Sequence, residues 1–209
     1  MLQSKKYWAD ALNQSNGIMI SQVRSELIDL LDFVSNHGIV NSFLEIGSQD
    51  GGTLWSWIQM LELDGHAFSV DLPNGPFGGV DSPSKLGQWR SWLVAKQTLD
   101  AVFADSHKDE TKADLQKVMA ERGVALVDYL FIDGDHTYEG VKSDFEKYSP
   151  LVRPGGIVAF HDVAIDRKHP EVGVNKFWTE LKAKYPAENI REFVENVDQD
   201  WAGIAAVII

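Results

Sequence analysis

Two short apolar runs in the second half of the chain end in acidic and histidine residues, and this pattern constrains the fold most strongly. The runs cover residues 129–132 and 157–160, the length of buried strands bounded by turn residues. Between them, apolar side chains recur at helical spacing over residues 138–148. In an open α/β sheet, ligands bind at the carboxyl ends of the strands, so we expect the polar residues there to meet at one rim. These residues are Asp133, Asp135, His136, His161 and Asp162.

The alternation of strands and helices extends along the whole chain. We predict strands over residues 42–46, 67–70, 101–104, 129–132, 157–160, 190–194 and 204–209. Helices are predicted over residues 21–37, 53–63, 82–99, 109–122, 138–148 and 174–185, and the turn before the fifth strand over residues 154–156. This order predicts an α/β fold with a doubly wound, mostly parallel, seven-stranded sheet that ends in a C-terminal antiparallel strand pair.

Length and composition exclude several classes of protein. The chain has 209 residues, 19 basic and 31 acidic side chains, a net charge of −12 and no cysteine. Such a charge argues against a nucleic-acid partner and against an anionic membrane surface. Nothing at the N-terminus resembles a signal peptide, and no apolar run approaches the roughly 20 residues that span a bilayer, so we expect a cytoplasmic protein. We expect one domain over residues 1–209 with an N-terminal extension at 1–20, while the sequence leaves open whether the chain forms a homo-oligomer.

A glycine-containing loop follows the first predicted strand and opens a helix. It contains Glu45, Gly47, Ser48 and Gly51 in an acidic-x-Gly-x-x-x-Gly pattern. Glycines allow the backbone to approach a ligand closely, and a helix N-terminus offers free N–H groups. The dinucleotide pattern Gly-x-Gly-x-x-Gly is missing, and the acidic side chains disfavour a pyrophosphate while suiting a cationic ligand. S-adenosylmethionine, which carries a sulfonium and an ammonium group, is such a ligand.

Acidic residues also end the second and third predicted strands. Asp71 is placed to accept the two hydroxyls of a ribose, and the pair Asp105 and Ser106 lies where the edge of an adenine would be met. Each acid also has a purely structural interpretation, since Asp71 precedes a Leu-Pro turn and Asp105 could cap the following helix. Three such strand ends together with the glycine loop favour a bound nucleoside.

With these residues the chain resembles the class I S-adenosylmethionine-dependent methyltransferases over residues 40–165. Glu45, Gly47 and Gly51 are similar to the first motif of that family, Asp71 to its ribose acid, and Asp105 with Ser106 to its adenine-side position. Residues 131–140 are similar to the branch of cephalosporin-hydroxylase-like proteins and metal-dependent sugar and catechol O-methyltransferases. The resemblance implies S-adenosylmethionine as cofactor and a small hydroxylated molecule as acceptor.

The same branch implies a divalent cation, Mg²⁺ or Mn²⁺, held at the ends of the fourth and fifth strands. The matching positions are Asp133, His161 and Asp162, where His161 departs from the usual oxygen ligand. Because Mg²⁺ prefers oxygen and imidazole suits later transition metals, two alternatives stay open. Either His161 binds a softer ion, or the site is free of metal and His161 acts as a base.

His136 matches a position that serves as general base in some sugar O-methyltransferases, and a histidine titrates in the right range for that role. Asp133 is expected to bind both cofactor and acceptor. The alternative for His136 is a structural role as a helix cap or a partner of Asp133.

The region 72–99 is a candidate lid over the acceptor, flanked by Phe77, Trp89 and Trp92, although both tryptophans could instead pack in the core. The acids Asp144 and Glu146 are expected on a solvated helix face. Two other functions stay open: an NAD-type oxidoreductase on the same sheet, and a non-catalytic module that binds a nucleoside.

Overall fold

The computed structural model describes residues 4–15, 17–77 and 81–209. Its helices within these ranges are α1 (Lys5–Asn13), α2 (Arg24–His37), α3 (Gly52–Ile58), α4 (Ser82–Ser91), α5 (Asp109–Glu121), α6 (Tyr138–Tyr148) and α7 (Val174–Lys182). Its strands are β1 (Val40–Ile46), β2 (Leu61–Asp71), β3 (Thr98–Phe103), β4 (Val127–Ile132), β5 (Val152–His161), β6 (Ile190–Phe193) and β7 (Ile204–Ile208). None of the described helices is long and apolar enough to span a membrane.

The strands form one seven-stranded sheet in the order β3-β2-β1-β4-β5-β7-β6. Strands β1 to β5 pair in parallel, whereas β7 runs antiparallel to both β5 and β6. The predicted fold class, including the C-terminal antiparallel pair, is therefore confirmed. The strand order reverses between β1 and β4, and this reversal opens the crevice in which open α/β sheets bind ligands.

Successive residues of a strand point to opposite faces of the sheet, and in this sheet both faces carry apolar side chains. Helices therefore cover both faces. Along β4, Tyr129 and Phe131 pack into the core under α1 to α4, whereas Leu130 and Ile132 pack under α5 to α7. Within the predicted N-terminal extension, α1 contributes the fully buried Trp8, whose Nε1 donates to Ser35 Oγ at 3.2 Å.

Several predicted boundaries are wrong, including those of two helices and one turn. The helix predicted over 53–63 ends at Ile58, because residues from Leu61 onward pair with β1 around a register shift. The helix predicted over 82–99 ends at Ser91, and β3 already begins at Thr98. The turn predicted over 154–156 lies inside β5, where the Gly155 N–H donates to the Ile209 carbonyl, and residues 149–151 form a 3₁₀ turn before the strand instead.

Candidate functional site

The glycine loop between β1 and α3 lies directly against the end of β4. Gly47 has φ +87°, and a Cβ atom there would lie 2.1 Å from the Asp133 carbonyl oxygen. Gly51 has φ +86°, and its Cβ would meet Trp89 Nε1 at 2.4 Å. A side chain would push the loop away from the end of β4 at Gly47 and away from Trp89 of α4 at Gly51, so both glycines are required for the shape of the crevice.

Glu45 lies beneath this loop and does not line the cavity. It is fully buried, and it accepts hydrogen bonds from Ser48 Oγ at 2.6 Å and Trp57 Nε1 at 2.8 Å. Burial raises the pKa of Glu45 to about 7, although the hydrogen bonds from Ser48, Thr53 and Trp57 oppose the rise. In this arrangement Glu45 supports the loop from below, and its contact with a cofactor stays a prediction.

Asp71, at the end of β2, connects the second strand to the glycine loop. Its Oδ1 accepts hydrogen bonds from the backbone N–H groups of Ser48 at 2.7 Å and Gln49 at 2.9 Å. Its Oδ2 is buried and accepts no hydrogen bond from the described residues. A buried carboxylate oxygen without a partner is costly, so this atom is suited to a hydroxyl of a ligand.

The segment after β3 lines the other end of the same cavity. Asp105 Oδ1 accepts from the backbone N–H of His107 at 2.9 Å, and the Asp105 carbonyl accepts from Thr111 Oγ1 at 2.7 Å. The Ser106 carbonyl accepts from Tyr148 Oη at 2.7 Å. Asp105 thus shapes the turn into α5, while its carboxylate and Ser106 remain at the cavity wall.

Four of the five residues predicted at the ends of β4 and β5 form one cluster, while Asp135 lines the same cavity and accepts a hydrogen bond from the Thr137 backbone N–H at 2.9 Å. His136 Nδ1 lies 2.7 Å from Asp162 Oδ2, and His136 Nε2 lies 3.5 Å from Asp133 Oδ1. His161 Nδ1 lies 3.2 Å from Asp133 Oδ1 and 3.4 Å from Asp162 Oδ1. Two carboxylates and two imidazoles therefore share one small volume.

The charges in this cluster shift the pKa values of both histidines. Burial alone lowers the pKa of His161, but Asp133 and Asp162 outweigh it and raise the pKa to about 9. Burial also opposes the charged form of His136, yet its hydrogen bond to Asp162 and the charge of Asp133 raise its pKa above the ordinary value. The pKa of Asp162 is lowered, because the two histidines outweigh the effect of burial.

The donor set fits a divalent cation, with a different third residue from the one the sequence suggested. Ligand atoms of Asp133, His136 and Asp162 lie within 4.8 Å of one another. Two carboxylates and one imidazole are typical donors for Mn²⁺ and similar ions. His161 contacts the same carboxylates, but its Nε2 is buried with no hydrogen-bond partner among the described residues. The predicted set of Asp133, His161 and Asp162 therefore stays a prediction.

Two side chains complete this part of the site. Gln22, from the segment before α2, donates from Nε2 to Asp133 Oδ2 at 2.7 Å. Phe77 stacks on the His136 ring with a centroid distance of 5.0 Å and an interplanar angle of 6°. Phe77 belongs to the predicted lid, whose residues 78–80 lie outside the described ranges. Trp89 is fully buried and Trp92 packs against the core, so Phe77 alone of these three aromatic side chains lines the cavity.

Asp144 is buried rather than solvated, so the prediction for this residue is wrong. It is 0% exposed on α6, whereas Glu146 is exposed. Burial raises the pKa of Asp144 to about 6, with nearby Ser106 and His107 opposing the rise. The helical spacing contained a signal for this burial, because Asp144 lies three residues after Val141 and four before Tyr148, both of which are buried.

These elements enclose a cavity of about 380 Å³. Eight of the predicted site residues line it: Gly47, Ser48, Asp71, Asp105, Ser106, Asp133, His136 and His161. Glu45, Gly51 and Asp162 are not part of its lining. Gln22 and His107 also line the cavity, and sequence reasoning missed both. Nothing in the local pattern around either residue distinguishes it from a solvated polar side chain.

Comparison with known proteins agrees with this architecture. A family of methyltransferase domains matches residues 44–163. The chain is similar to an O-methyltransferase from Bacillus cereus in complex with S-adenosylhomocysteine (TM-score 0.58, 17% identity, covering 98% of this chain and 90% of that one). It is also similar to the N-methyltransferase NodS of Bradyrhizobium japonicum (TM-score 0.63, 13% identity, covering 98% and 97%). A third similar structure is the methyltransferase MycE of the mycinamycin pathway with Mg and S-adenosylhomocysteine (TM-score 0.57, 15% identity, covering 100% and 55%).

Curated relatives match shorter segments. They are the uncharacterized protein y4gI of Sinorhizobium fredii, 44% identical over 63 residues, and the uncharacterized protein R132 of Acanthamoeba polyphaga mimivirus, 42% identical over 59 residues. The aligned segments cover 30% and 27% of this chain but only 7% and 27% of those relatives.

The sheet order and the strand-end crevice define a class I methyltransferase fold. The family match over more than half of the chain shows that it belongs to the methyltransferase-domain family.

Proposed function

We propose that this protein transfers the methyl group of S-adenosylmethionine to a hydroxyl of a small acceptor. The proposal rests mainly on one observation: a single cavity contains two groups of residues with different chemistry, which we call the cofactor half and the acceptor half. Polar groups suited to a nucleoside lie at the ends of β1 to β3, and an acid–histidine cluster lies at the ends of β4 and β5. Complexes with the demethylated cofactor among structures of the same fold support the choice of cofactor.

The cofactor half is suited to a cationic nucleoside. Asp71 Oδ2 is available to a ribose hydroxyl, and Asp105 with Ser106 lies at the position expected for the base. The cavity lining also includes Asp50, Asp133 and Asp135, and the whole chain has a net charge of −12. A negative environment stabilises a sulfonium and an ammonium group, and it disfavours the pyrophosphate of NAD. This is the physical argument against an oxidoreductase, and the family match supports it.

The acceptor half is arranged for removal of a proton. His136 Nδ1 lies 2.7 Å from Asp162 Oδ2, which favours a proton on Nδ1 and leaves the lone pair of Nε2 facing Asp133 and the cavity. In the proposed reaction the acceptor oxygen attacks the methyl carbon, the carbon–sulfur bond breaks, and its electron pair stays on sulfur to give a neutral thioether. The proton of the hydroxyl passes to His136 Nε2. Asp133 would hold the acceptor oxygen in line with carbon and sulfur.

A hydroxyl is favoured over an amine by this geometry. A hydroxyl gains nucleophilicity by losing its proton during attack, so a positioned base matters to its rate. A neutral amine attacks first and releases its proton afterwards, so it depends less on such a base. Methyltransferases of both kinds share this fold, and the presence of the His136–Asp162 pair is what supports oxygen as the acceptor atom here.

A divalent cation is compatible with the same residues. Asp133 and Asp162, together with His136, would hold it, and a bound Mn²⁺ or Mg²⁺ would supply Lewis acidity that lowers the pKa of the acceptor hydroxyl. His136 would then act as a ligand, and proton removal would rely less on an imidazole. Full activity in excess chelator would exclude a metal requirement and leave His136 as the base.

The proposal is tested by a product assay. The protein is incubated with S-adenosylmethionine and matched pairs of small aromatic or sugar acceptors that carry either a hydroxyl or an amine at the same position. We expect formation of S-adenosylhomocysteine with the hydroxylated member of a pair and much less with the amine. Transfer to amines alone would overturn the choice of oxygen. No transfer to any acceptor, together with tight cofactor binding, would favour a non-catalytic binding module.

A further inference from the structure

A run of basic residues beside the acceptor half has no role in the proposed reaction. With histidine counted as basic, Arg167, Lys168 and His169 are the only three consecutive basic residues in a chain of net charge −12. All three side chains are exposed. His169 Nδ1 lies 3.4 Å from Glu171 Oε1, whereas Arg167 and Lys168 form no ion pair within the described part of the chain. Two neighbouring cations are therefore available on a strongly acidic protein.

The connection that carries these cations is fixed at both ends to the acid–histidine cluster. We call residues 163–173 the basic loop. The loop begins directly after Asp162, and at its other end the Gly173 N–H donates to the His136 carbonyl at 2.8 Å. A Cβ atom at Gly173 would lie 2.5 Å from the backbone nitrogen of Tyr138, so the end of the loop is packed tightly against the start of α6. Both ends of the basic loop thus meet residues of the acceptor half.

Hydrogen bonds direct the first part of the loop away from the sheet. The N–H groups of Val163 and Ala164 donate to the carbonyls of Gly203 at 3.2 Å and Ala202 at 2.9 Å. These bonds continue the pairing of β5 with β7 past the carboxyl end of β5. The basic loop therefore extends from the same edge of the sheet that carries the cavity.

The tip of the basic loop is a turn closed by Asp166. Its Oδ1 accepts hydrogen bonds from the backbone N–H groups of Lys168 at 2.8 Å and His169 at 2.9 Å. Arg167 is five residues beyond Asp162, so their Cα atoms are at most about 18 Å apart. The pKa of Asp162 is lowered against the effect of burial, and His169 contributes to this after the two histidines of the cluster. The charges of the tip therefore act at the acceptor half.

The cavity itself is unsuited to an anionic group. Among the described residues, its lining contains no lysine or arginine. The histidines of the acceptor half already face Asp133 and Asp162. The carboxylates that line the cavity are Asp50, Asp71, Asp105, Asp133 and Asp135. Because like charges repel strongly where water is excluded, a phosphate or carboxylate is disfavoured inside and needs a cationic partner outside.

We propose that the methyl acceptor carries a phosphate or carboxylate group, and that Arg167 and Lys168 bind this group outside the cavity while the reacting hydroxyl enters it. The guanidinium of Arg167 offers two parallel N–H donors to such an anion, and Lys168 adds a second positive charge. The charge pattern orients the acceptor, with its anionic end towards the basic loop and its hydroxyl towards His136. This inference rests on the proposed function, because it specifies the acceptor of that reaction.

Calorimetric titration with matched pairs of small molecules tests the inference. The protein is first saturated with S-adenosylhomocysteine. One pair is glucose 6-phosphate and glucose, and the other is 3,4-dihydroxycinnamate and its uncharged amide. We expect the anionic member to bind about 10-fold more tightly at low salt, the scale for two favourable exposed ion pairs. The preference should shrink in about 0.5 M NaCl, because salt screens exposed charges.

Each unfavourable result has a distinct meaning. Equal affinities within both pairs, or no binding of either anionic member, would overturn the inference. Methyl transfer to the neutral members alone would also overturn it, and would leave the proposed function intact. Failure of S-adenosylhomocysteine to bind in the first step would overturn the proposed function as well.

Two double variants of equal net charge locate the effect. Arg167→Gln with Lys168→Gln removes both charges from the tip of the basic loop, so the ratio of affinities within a pair should fall to about 1–2. Lys117→Gln with Lys184→Gln is the matched control. It removes two exposed charges from α5 and from the segment after α7, neither of which forms an ion pair within the described ranges, and it should keep the wild-type ratio.

Circular dichroism and thermal unfolding establish that both double variants are folded. A wild-type ratio in the folded loop variant would exclude Arg167 and Lys168 as the binding groups. An equal fall of the ratio in both double variants would indicate a general effect of net charge and would also contradict the proposal. Arg167→Gln alone should lower the ratio about 3-fold, and it provides the same test if the loop double variant does not fold.

Discussion

The two halves of the cavity are built by different means. At the ends of β1 and β2, backbone geometry dominates: Gly47 permits close contact with β4, and Asp71 is held by two backbone N–H groups. At the ends of β4 and β5, titratable side chains hold one another in place, with Asp162 and Asp133 on either side of His136. The shape of the first half therefore follows from the backbone and its hydrogen bonds, whereas that of the second depends on the protonation of its own members. Substitutions should accordingly affect binding in the first half and turnover in the second.

The largest effect is expected for His136→Ala in the acceptor half. Loss of a positioned proton acceptor should lower the turnover rate by about 10²–10⁴-fold, while affinity for S-adenosylhomocysteine stays near the wild-type value. Steady-state kinetics and calorimetry on the same preparation measure both quantities. His169→Ala, which alters an exposed histidine outside the cavity, is the control. Equal losses of turnover rate and of affinity for S-adenosylhomocysteine would show that His136 also contributes to cofactor binding, which contradicts the division of the cavity into a binding half and a turnover half.

The next effect concerns the stability of the cofactor half and its dependence on pH. Glu45 has a pKa of about 7 in the folded protein, above its ordinary value of 4.5. The folded state thus binds a proton more tightly than the unfolded state, so stability is lost as the pH rises from about 4.5 through about 7. A pKa shift of this size corresponds to a change of roughly 3 kcal/mol in the free energy of unfolding between these two pH values.

Glu45→Gln should remove much of that pH dependence, because the amide does not ionise, and its oxygen retains one of the two acceptors of the carboxylate. Urea unfolding at pH 5 and pH 8 measures it, with Glu62→Gln at an exposed position as the control. If wild type and Glu45→Gln lose stability equally between the two values, Glu45 is not the group responsible.

Asp71→Asn tests the ribose contact of the cofactor half. The amide oxygen still accepts from the Ser48 and Gln49 backbone, but the charged Oδ2 is replaced by an N–H₂ group. Affinity for S-adenosylhomocysteine should fall by roughly 1–3 kcal/mol, the cost of losing a charge-assisted hydrogen bond. Unchanged affinity in calorimetry would remove Asp71 from the cofactor site.

The smallest effect is expected for Gln22→Leu. This change removes the hydrogen bond to Asp133 Oδ2, so the carboxylate is held only through the contacts of its Oδ1 with His136 and His161. Turnover should fall about 10-fold, as is usual for the loss of a group that orients a reactive carboxylate. Gln14→Leu, on an exposed surface of the N-terminal segment, is the matched control. A wild-type rate for Gln22→Leu would show that Asp133 is held adequately by the histidines alone.

The fold class and the strand-end residues could be predicted because they follow from local patterns. Buried parallel strands are continuous apolar runs, and their carboxyl ends meet at one rim, so Asp71 and Asp133 could be placed without coordinates. The limits of β2 could not, because Leu61 belongs to a strand only through its pairing with Val40. That pairing is a long-range contact which local propensity does not encode.

The site was less predictable than the fold for a related reason. Gln22 reaches Asp133 across 111 positions of the chain, and His107 meets Asp144 only because α6 contacts the loop that follows β3. No spacing rule connects such pairs. Asp144 is an exception, because its burial could have been predicted from local spacing. It lies on the same face of α6 as the buried Val141 and Tyr148, but an acidic residue is usually expected to be exposed.

The most direct test of the account is calorimetric titration of the protein with S-adenosylhomocysteine and, separately, with NAD. Asp71, the glycine loop and the acidic wall favour the first ligand, so we expect saturable one-to-one binding of S-adenosylhomocysteine and no detectable binding of NAD. Tight binding of NAD without a response to S-adenosylhomocysteine or S-adenosylmethionine would contradict the assignment of this cavity to S-adenosylmethionine.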